Sequence, residues 1–290
     1  MAHWIGRVAS EAFGFELIGV EASDDTTGPR MYGDPTIPIT IPAAGVETIA
    51  TPDDLLICNP SFSGLGLGRA FPGRSICYVQ GLDTFPLLDK FTHYVSVSSA
   101  VAGYLSLIYG IQTRVIPPFL TIPSELSRQR WADKASSILM LVKQGGPLHQ
   151  MVLKDTIDSI ESACPDLPVI ITEGYALTQR EFLRRLSEHK FVLAFSPQEG
   201  FGLTPLEAMA CGAVVLGLNG VGGRDYMRPG DNCLAVEWVD HERIAALTAQ
   251  AFNDPALCER ISHAAMQTAS EFTLKRFQAS WRTEIGKVLA

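Results

Sequence analysis

An apolar run, Phe191-Val192-Leu193-Ala194-Phe195, leads into the glycine-containing turn Glu199-Gly200-Phe201-Gly202. A helix-forming stretch follows, and then a second apolar run, Ala213-Val214-Val215-Leu216. Short continuous apolar runs bounded by turn residues read as strands buried on both faces. The unit is therefore strand, turn, helix, strand, the parallel crossover of an α/β protein. In such units ligands lie at the carboxyl ends of the strands, against the helix N-termini.

The turn has chemistry of its own. Gly200 and Gly202 let the backbone approach a ligand closely, because no side chain stands in the way. Thr204 suits an N-cap and Pro205 a first helical position. That start would leave the amides of Phe201, Gly202 and Leu203 beside the positive end of the helix, where a phosphate can sit. Glu199 would stand at the strand end and Glu207 in the first helical turn, on one rim, as acceptors for sugar or ribose hydroxyls. On the Thr/Glu spacing alone, Thr204-Pro205-Leu206-Glu207 also reads as a capping box, with Glu207 reaching back to the Thr204 amide.

The wider string EGFGLTPLEAMACG, residues 199–212, closely resembles the signature of retaining nucleotide-sugar glycosyltransferases of the GT-B architecture (group 1 type, E-x7-E). The resemblance is dense from Phe182 to Val236 and weaker elsewhere. It implies two Rossmann-like, doubly wound domains facing a cleft. It also implies that Glu199 reaches hydroxyls of the transferred sugar and that Glu207 binds the ribose of the nucleotide.

Alternating strand and helix patterns on both sides of a proline-rich break, Pro117-Pro118 and Pro123, fit two such α/β domains. The expected division is an acceptor-side domain over 1–118, a nucleotide-sugar domain over 119–270, and a terminal helix over 271–290 that the resemblance sends back to the first domain. Phe277, Trp281, Ile285 and Val288 fall at helical spacing in that last stretch, as a core-facing stripe does. Strands are expected at 15–20, 55–58, 75–80, 94–97, 113–116, 137–142, 169–172 and 233–236. Helices are expected at 3–12, 100–109 (capped by Ser98 and ended by Gly110), 150–163, 179–189, 241–252 and 255–269. Relatives open on a strand and a glycine-rich loop, whereas this sequence opens on a helical pattern. Either that first strand is missing here or the protein is a minimal form with a shortened N-terminal domain.

Other residues bear on the same site. In the family an arginine ends the first strand of the nucleotide domain and a lysine follows about six positions later, and the two hold the pyrophosphate. This chain has Lys143 and His149 there. A lysine is a competent point charge for phosphate, though it lacks the arginine fork. A solvated surface lysine and a helix-capping histidine are the plainer readings. Gln80 ends a strand where many relatives carry a histidine that touches the sugar, and it can still hydrogen-bond a hydroxyl. The glycine- and serine-rich loop Asn59 to Gly68 does not satisfy GxGxxG. It reads equally as a phosphate- or acceptor-touching loop and as a plain turn. The loop Asn219 to Asp225 reads as a structural turn that could line the donor cleft.

Composition excludes some classes. Hydrophobic residues make up 47% and charged residues 19%, which suits packed cores and not a disordered chain. A net charge of −8 argues against non-specific nucleic-acid binding. The six cysteines are scattered without a CxxC pair, as in a reducing compartment. There is no bilayer-length apolar run and no signal-peptide core at Met1 to Ser10. The expected location is the cytoplasm, with room for peripheral association at the inner face of the membrane. No DxD, HExxH or GxSxG motif occurs, so neither metal nor hydrolase chemistry is called for.

The expectation is a retaining, metal-independent glycosyltransferase. It would use a nucleotide-sugar donor such as a UDP-, GDP- or dTDP-sugar, with no cofactor. The acceptor would be a hydroxyl of a glycan, glycolipid or small metabolite, and a homodimer or a partner chain is compatible. A non-catalytic homologue that binds nucleotide sugar and a GT-B-shaped nucleotide-sugar epimerase are the alternatives.

Overall fold

The computed structural model describes residues 1–20, 39–40, 48–59, 66–82, 87, 89–126, 129–142, 147–173 and 177–290. In chain order its elements are α1 (Ala2–Phe13), β1 (Gly19–Val20), β2 (Ile39–Thr40), β3 (Leu55–Cys58), α2 (Leu67–Ala70), β4 (Arg74–Val79), β5 (His93–Ser96), α3 (Ser99–Tyr109) and β6 (Arg114–Val115). There follow β7 (Ala135–Val142), α4 (Pro147–Ala163), β8 (Val169–Glu173), α5 (Gln179–Glu188), β9 (His189–Ala194), α6 (Leu203–Ala210), β10 (Val214–Leu218), β11 (Leu234–Val236), α7 (His241–Asn253), α8 (Pro255–Ala269) and α9 (Leu274–Leu289). The chain divides into two compact units, Met1–Phe119 with Leu274–Ala290, and Leu120–Thr273.

The second unit is a parallel five-stranded sheet in the order β11-β10-β9-β7-β8. From β7 the chain crosses through α4 to β8 on one side, then returns through α5 to β9 on the other. The order reverses between β7 and β9, so the topological switch point lies at their carboxyl ends, Val142 and Ala194. Parallel strands covered on both faces need continuous apolar runs. Every residue of β10 is buried, and Ile138, Met140, Phe191, Leu193, Val214 and Leu216 form one core with Ile160, Ile244 and Ile261 from the helices.

The first unit has a parallel four-stranded sheet, β3-β4-β5-β6, and a separate parallel pair, β1-β2. Helix α9 presents Phe277, Trp281 and Ile285 as a buried stripe, with Val288 half-buried. The Trp281 ring packs edge-on to Tyr78 of β4 at 5.2 Å, and Phe277 lies 5.0 Å from Phe119. The same face carries a charge. Glu284 is 3% exposed, and it takes a hydrogen bond from His93 Nε2 at 2.8 Å, with Arg114 Nη1 at 3.3 Å and Lys287 Nζ at 3.2 Å. Burial pushes this carboxyl up, but the bonds from His93 and Lys287 outweigh it and hold it below its usual range.

The sequence expectations need local corrections. Of the strand expected over 15–20, only Gly19–Val20 forms. His189 does not end the helix before the signature but opens β9, where its ring bonds Ser137 of β7. The N-cap of α3 is Ser98, accepting from the Val101 amide, and Gly110 closes it with a φ of 67°, both as expected. All six cysteines are buried and free. Among the described residues, no helix is long and apolar enough to cross a membrane, and no cluster of three metal-capable side chains occurs.

A buried carboxylate held by His93, Arg114 and Lys287 predicts a specific pH response. Glu284→Gln should cost about 2–3 kcal/mol in denaturant unfolding at pH 7. The folded state keeps Glu284 ionised to lower pH than the unfolded chain, whose value is near 4.5. Its contribution is therefore complete above 4.5 and fades as pH falls through the lower folded value. The wild-type-to-variant gap should narrow steadily between pH 5 and pH 3; a constant gap would contradict this assignment.

Candidate functional site

The carboxyl end of β9 runs through Phe195, which is buried, to Glu199, which is half-buried, and on into α6. The loop after β10 lies against this turn and braces it. The Gly222 amide donates to the Glu199 carbonyl at 3.0 Å. Gly222 and Gly200 approach so closely that a Cβ on Gly222 would stand 2.1 Å from the Gly200 carbonyl oxygen, so any side chain there would force the two loops apart. Further on, the Tyr226 hydroxyl donates to the Gly202 carbonyl. The Tyr226 ring is 5.2 Å from Phe201, and both rings pack on Phe272, at 5.7 Å from Phe201 and 5.9 Å from Tyr226. The loop read from sequence as a structural turn is thus the brace of the Glu199 turn.

The start of α6 differs from expectation. Gly202, not Thr204, is the N-cap, with a φ of 84°, and Leu203 is the first helical residue. This left-handed conformation is open to glycine at little cost, which lets the chain enter the helix two residues earlier. Thr204 and Pro205 become the second and third helical residues, and no side chain caps α6. The Thr204–Glu207 capping box does not form. Instead Glu207 Oε1 accepts from Gln179 Nε2 at 2.8 Å. A capping box does form at the neighbouring helix, where Thr178 and Glu181 bond reciprocally and fix the start of α5. That start sets Gln179 against Glu207.

The remaining predicted residues fall as follows. Gly200 and Phe201 lie buried in the turn, and Leu203 is partly exposed at the head of α6. Gln80 is exposed and directly follows β4 in the first unit. Lys143 lies outside the described residues, and of His149 only its place in α4 is described. Of the loop Asn59 to Gly68, residues 60–65 lie outside the described set. At its end the Gly68 and Arg69 amides are bound by the buried Asp89 carboxylate, at 2.5 Å and 3.2 Å. Those two donors of α2 are therefore already occupied by an internal anion.

Two residues near the turn, Gln179 and Tyr226, are not among the sequence candidates, and a third, Asn219, is known from sequence only as the first residue of a loop. Gln179 and Tyr226 make the contacts above. Asn219, 5% exposed at the carboxyl end of β10, has its Oδ1 buried without a hydrogen bond, although its backbone N–H donates to the Val236 carbonyl at 3.2 Å. None carries a local motif. Other reactive side chains of this unit are quenched. Burial pushes the Cys211 thiol up to about 12. It also lowers His189, whose Nδ1 bonds Ser137 at 2.7 Å at the amino ends of the strands, opposite the Glu199 edge.

With this geometry in view, likeness to known proteins is informative. Residues 179–268 match the family model described as Glycosyl transferases group 1, which takes in α5, Glu199, α6 and the bracing loop. No curated protein matches. Among solved structures, a glycosyltransferase from Rickettsia africae superposes with a TM-score of 0.70 at 15% identity, over 99% of this chain and 94% of that one. Anabaena HepE in complex with UDP-glucose gives 0.70 at 17% identity, over 87% and 86%. S. aureus TarM, in complex with fondaparinux, α-GlcNAc-glycerol and UDP, gives 0.64 at 15% identity, over 81% of this chain. The chain spans 56% of the TarM length and 58% of the pneumococcal O-GlcNAc transferase GtfA. The fold is the GT-B type of two Rossmann-like units, and the chain resembles group 1 glycosyl transferases over the segment that holds the turn.

The brace predicts a ranking of substitutions. Gly202→Ala meets an unfavourable φ and the Tyr226 hydroxyl at 3.1 Å, and should cost about 1–2 kcal/mol. Gly222→Ala strikes backbone and should cost more than Gly202→Ala in denaturant unfolding. Equal or reversed costs would show that the two loops are not in close register.

Proposed function

We propose that this protein is a retaining glycosyltransferase that moves a sugar from a nucleotide-sugar donor to a hydroxyl acceptor. The observation that carries the reading is the Glu199–Leu203 turn at the switch point of the second unit, inside the segment that matches the group 1 family. Glu207 would hold the ribose, displacing Gln179, whose side-chain amide donates to it. The amides of Phe201, Gly202 and Leu203, the head of α6 and Lys143 would bind the diphosphate, with His149 beside it. Gly200 would allow the close approach and Thr204 would stand beside it at the head of α6. Glu199 would orient the sugar, and Gln80 would offer a further hydroxyl partner from the acceptor-side unit.

As the anomeric carbon–oxygen bond breaks, negative charge grows on the departing phosphate, where preorganised amides stabilise it best. The acceptor hydroxyl attacks the same face of the sugar and its proton passes to the departing phosphate oxygen. No divalent ion is required, because the amides, the helix end and Lys143 take up that charge. The solved complexes of HepE and TarM contain UDP, which makes a UDP-sugar the first donor to try. A glycan, a glycolipid or a small metabolite suits the acceptor role, at the cytoplasmic face of a membrane or in solution. The solved GtfA/B complex supports looking for a partner chain.

The test is thermal unfolding with UDP, GDP and dTDP, with and without magnesium. A ligand that binds only the folded state at a hundred times its Kd adds about 2.7 kcal/mol of stability. One diphosphate should raise the Tm without metal, and Glu207→Ala should abolish the rise. No rise with any nucleotide would overturn the donor-binding reading.

A further inference from the structure

We infer that the Tyr226 hydroxyl is a positioning group for the donor diphosphate, because it pins the Gly202–Leu203 peptide in the orientation in which the Leu203 N–H faces out of the turn. The inference rests on the proposed donor site. A trans peptide is planar, and its C=O and N–H point in opposite directions. Tyr226 is 1% exposed and lies beneath the turn, so the carbonyl it binds faces the interior and the Leu203 N–H faces away from it. Leu203 is the first residue of α6 and 37% exposed, and the first amides of a helix have no partner within it. As the N-cap residue, Gly202 turns its carbonyl toward the first turn of α6, and the Tyr226 hydroxyl is a second donor that holds the same carbonyl from outside the helix.

Tyr226 is itself built in by groups other than its hydroxyl. Its amide donates to Gly223 O at 3.0 Å, and its carbonyl accepts from Asn232 Nδ2 at 2.8 Å. Asn232 is fully buried and also donates to Thr268 of α8 at 2.9 Å. The ring packs on Phe201 and Phe272. Burial, with Glu199 nearby, pushes the phenol far above its ordinary value, so it remains a donor. Tyr226→Phe therefore removes the pin and keeps the packing.

The experiment compares UDP with uridine by titration calorimetry on wild type and Tyr226→Phe. UDP affinity should fall about tenfold in the variant, the worth of roughly one hydrogen bond to a charged group, while uridine affinity stays the same. Equal losses for both ligands, or none, overturn the inference. Amide hydrogen exchange at Leu203 without ligand reads the orientation directly. Its rate should change in Tyr226→Phe, and an unchanged rate overturns the pin. Wild type that binds UDP no better than uridine would instead sink the proposed donor site, with the exchange result still deciding whether Tyr226 sets the peptide.

Discussion

The backbone of Gly222 rests on the backbone of Gly200, and the shape of the candidate site depends on that contact. Two loops from adjacent parallel strands can nest this closely only if neither carries a Cβ at the crossing. The nesting sets Glu199 through its carbonyl, brings Tyr226 under Gly202, and gathers Phe201, Tyr226 and Phe272 into one aromatic floor. The floor is apolar and supports the turn from beneath. A preorganised set of amides of this kind suits an anion whose charge grows during reaction.

Electrostatics within the second unit point the same way. The sulfur of Cys211 and the ring of His189 are buried, and burial holds both neutral at neutral pH. Lys134 is buried as well, its Nζ bonded to the Ser187 carbonyl, and desolvation lowers it to about 8. All three are spent on structure. Glu199, beyond the end of β9, and Glu207, in α6, are half-buried. Glu207 already holds an amide donor in Gln179, a neutral partner that a ribose hydroxyl can replace without leaving a charge unpaired.

Much of the fold is legible in the sequence because its signals are local. The strand Leu55–Cys58 and the helix Pro255–Ala269 have the expected limits, since an apolar run and an Asp-Pro start mark them without reference to anything distant. The stripe on α9 follows from spacing alone. The start of α6 was misread for a physical reason. Thr204-Pro205 is a fair local start, but Gly202 takes a left-handed conformation secured by Tyr226, which is 24 residues away. Likewise Glu207 looks like a capping residue until α5 delivers Gln179 to it. Non-local contacts of this kind leave no periodicity and no motif, so nothing local marks Tyr226 or Gln179. The glutamates and the glycine turn could, because residue type and spacing alone carry their chemistry.

On the proposed function, the turn from Glu199 to Leu203 receives the diphosphate of a nucleotide donor. A crystal structure of the protein with the bound nucleoside diphosphate measures this most directly. Phosphate oxygens are expected at about 2.7–3.2 Å from the Gly202 and Leu203 nitrogens, with the ribose on Glu207 and Gln179 released. A diphosphate bound elsewhere, with Gln179 still on Glu207, would contradict it.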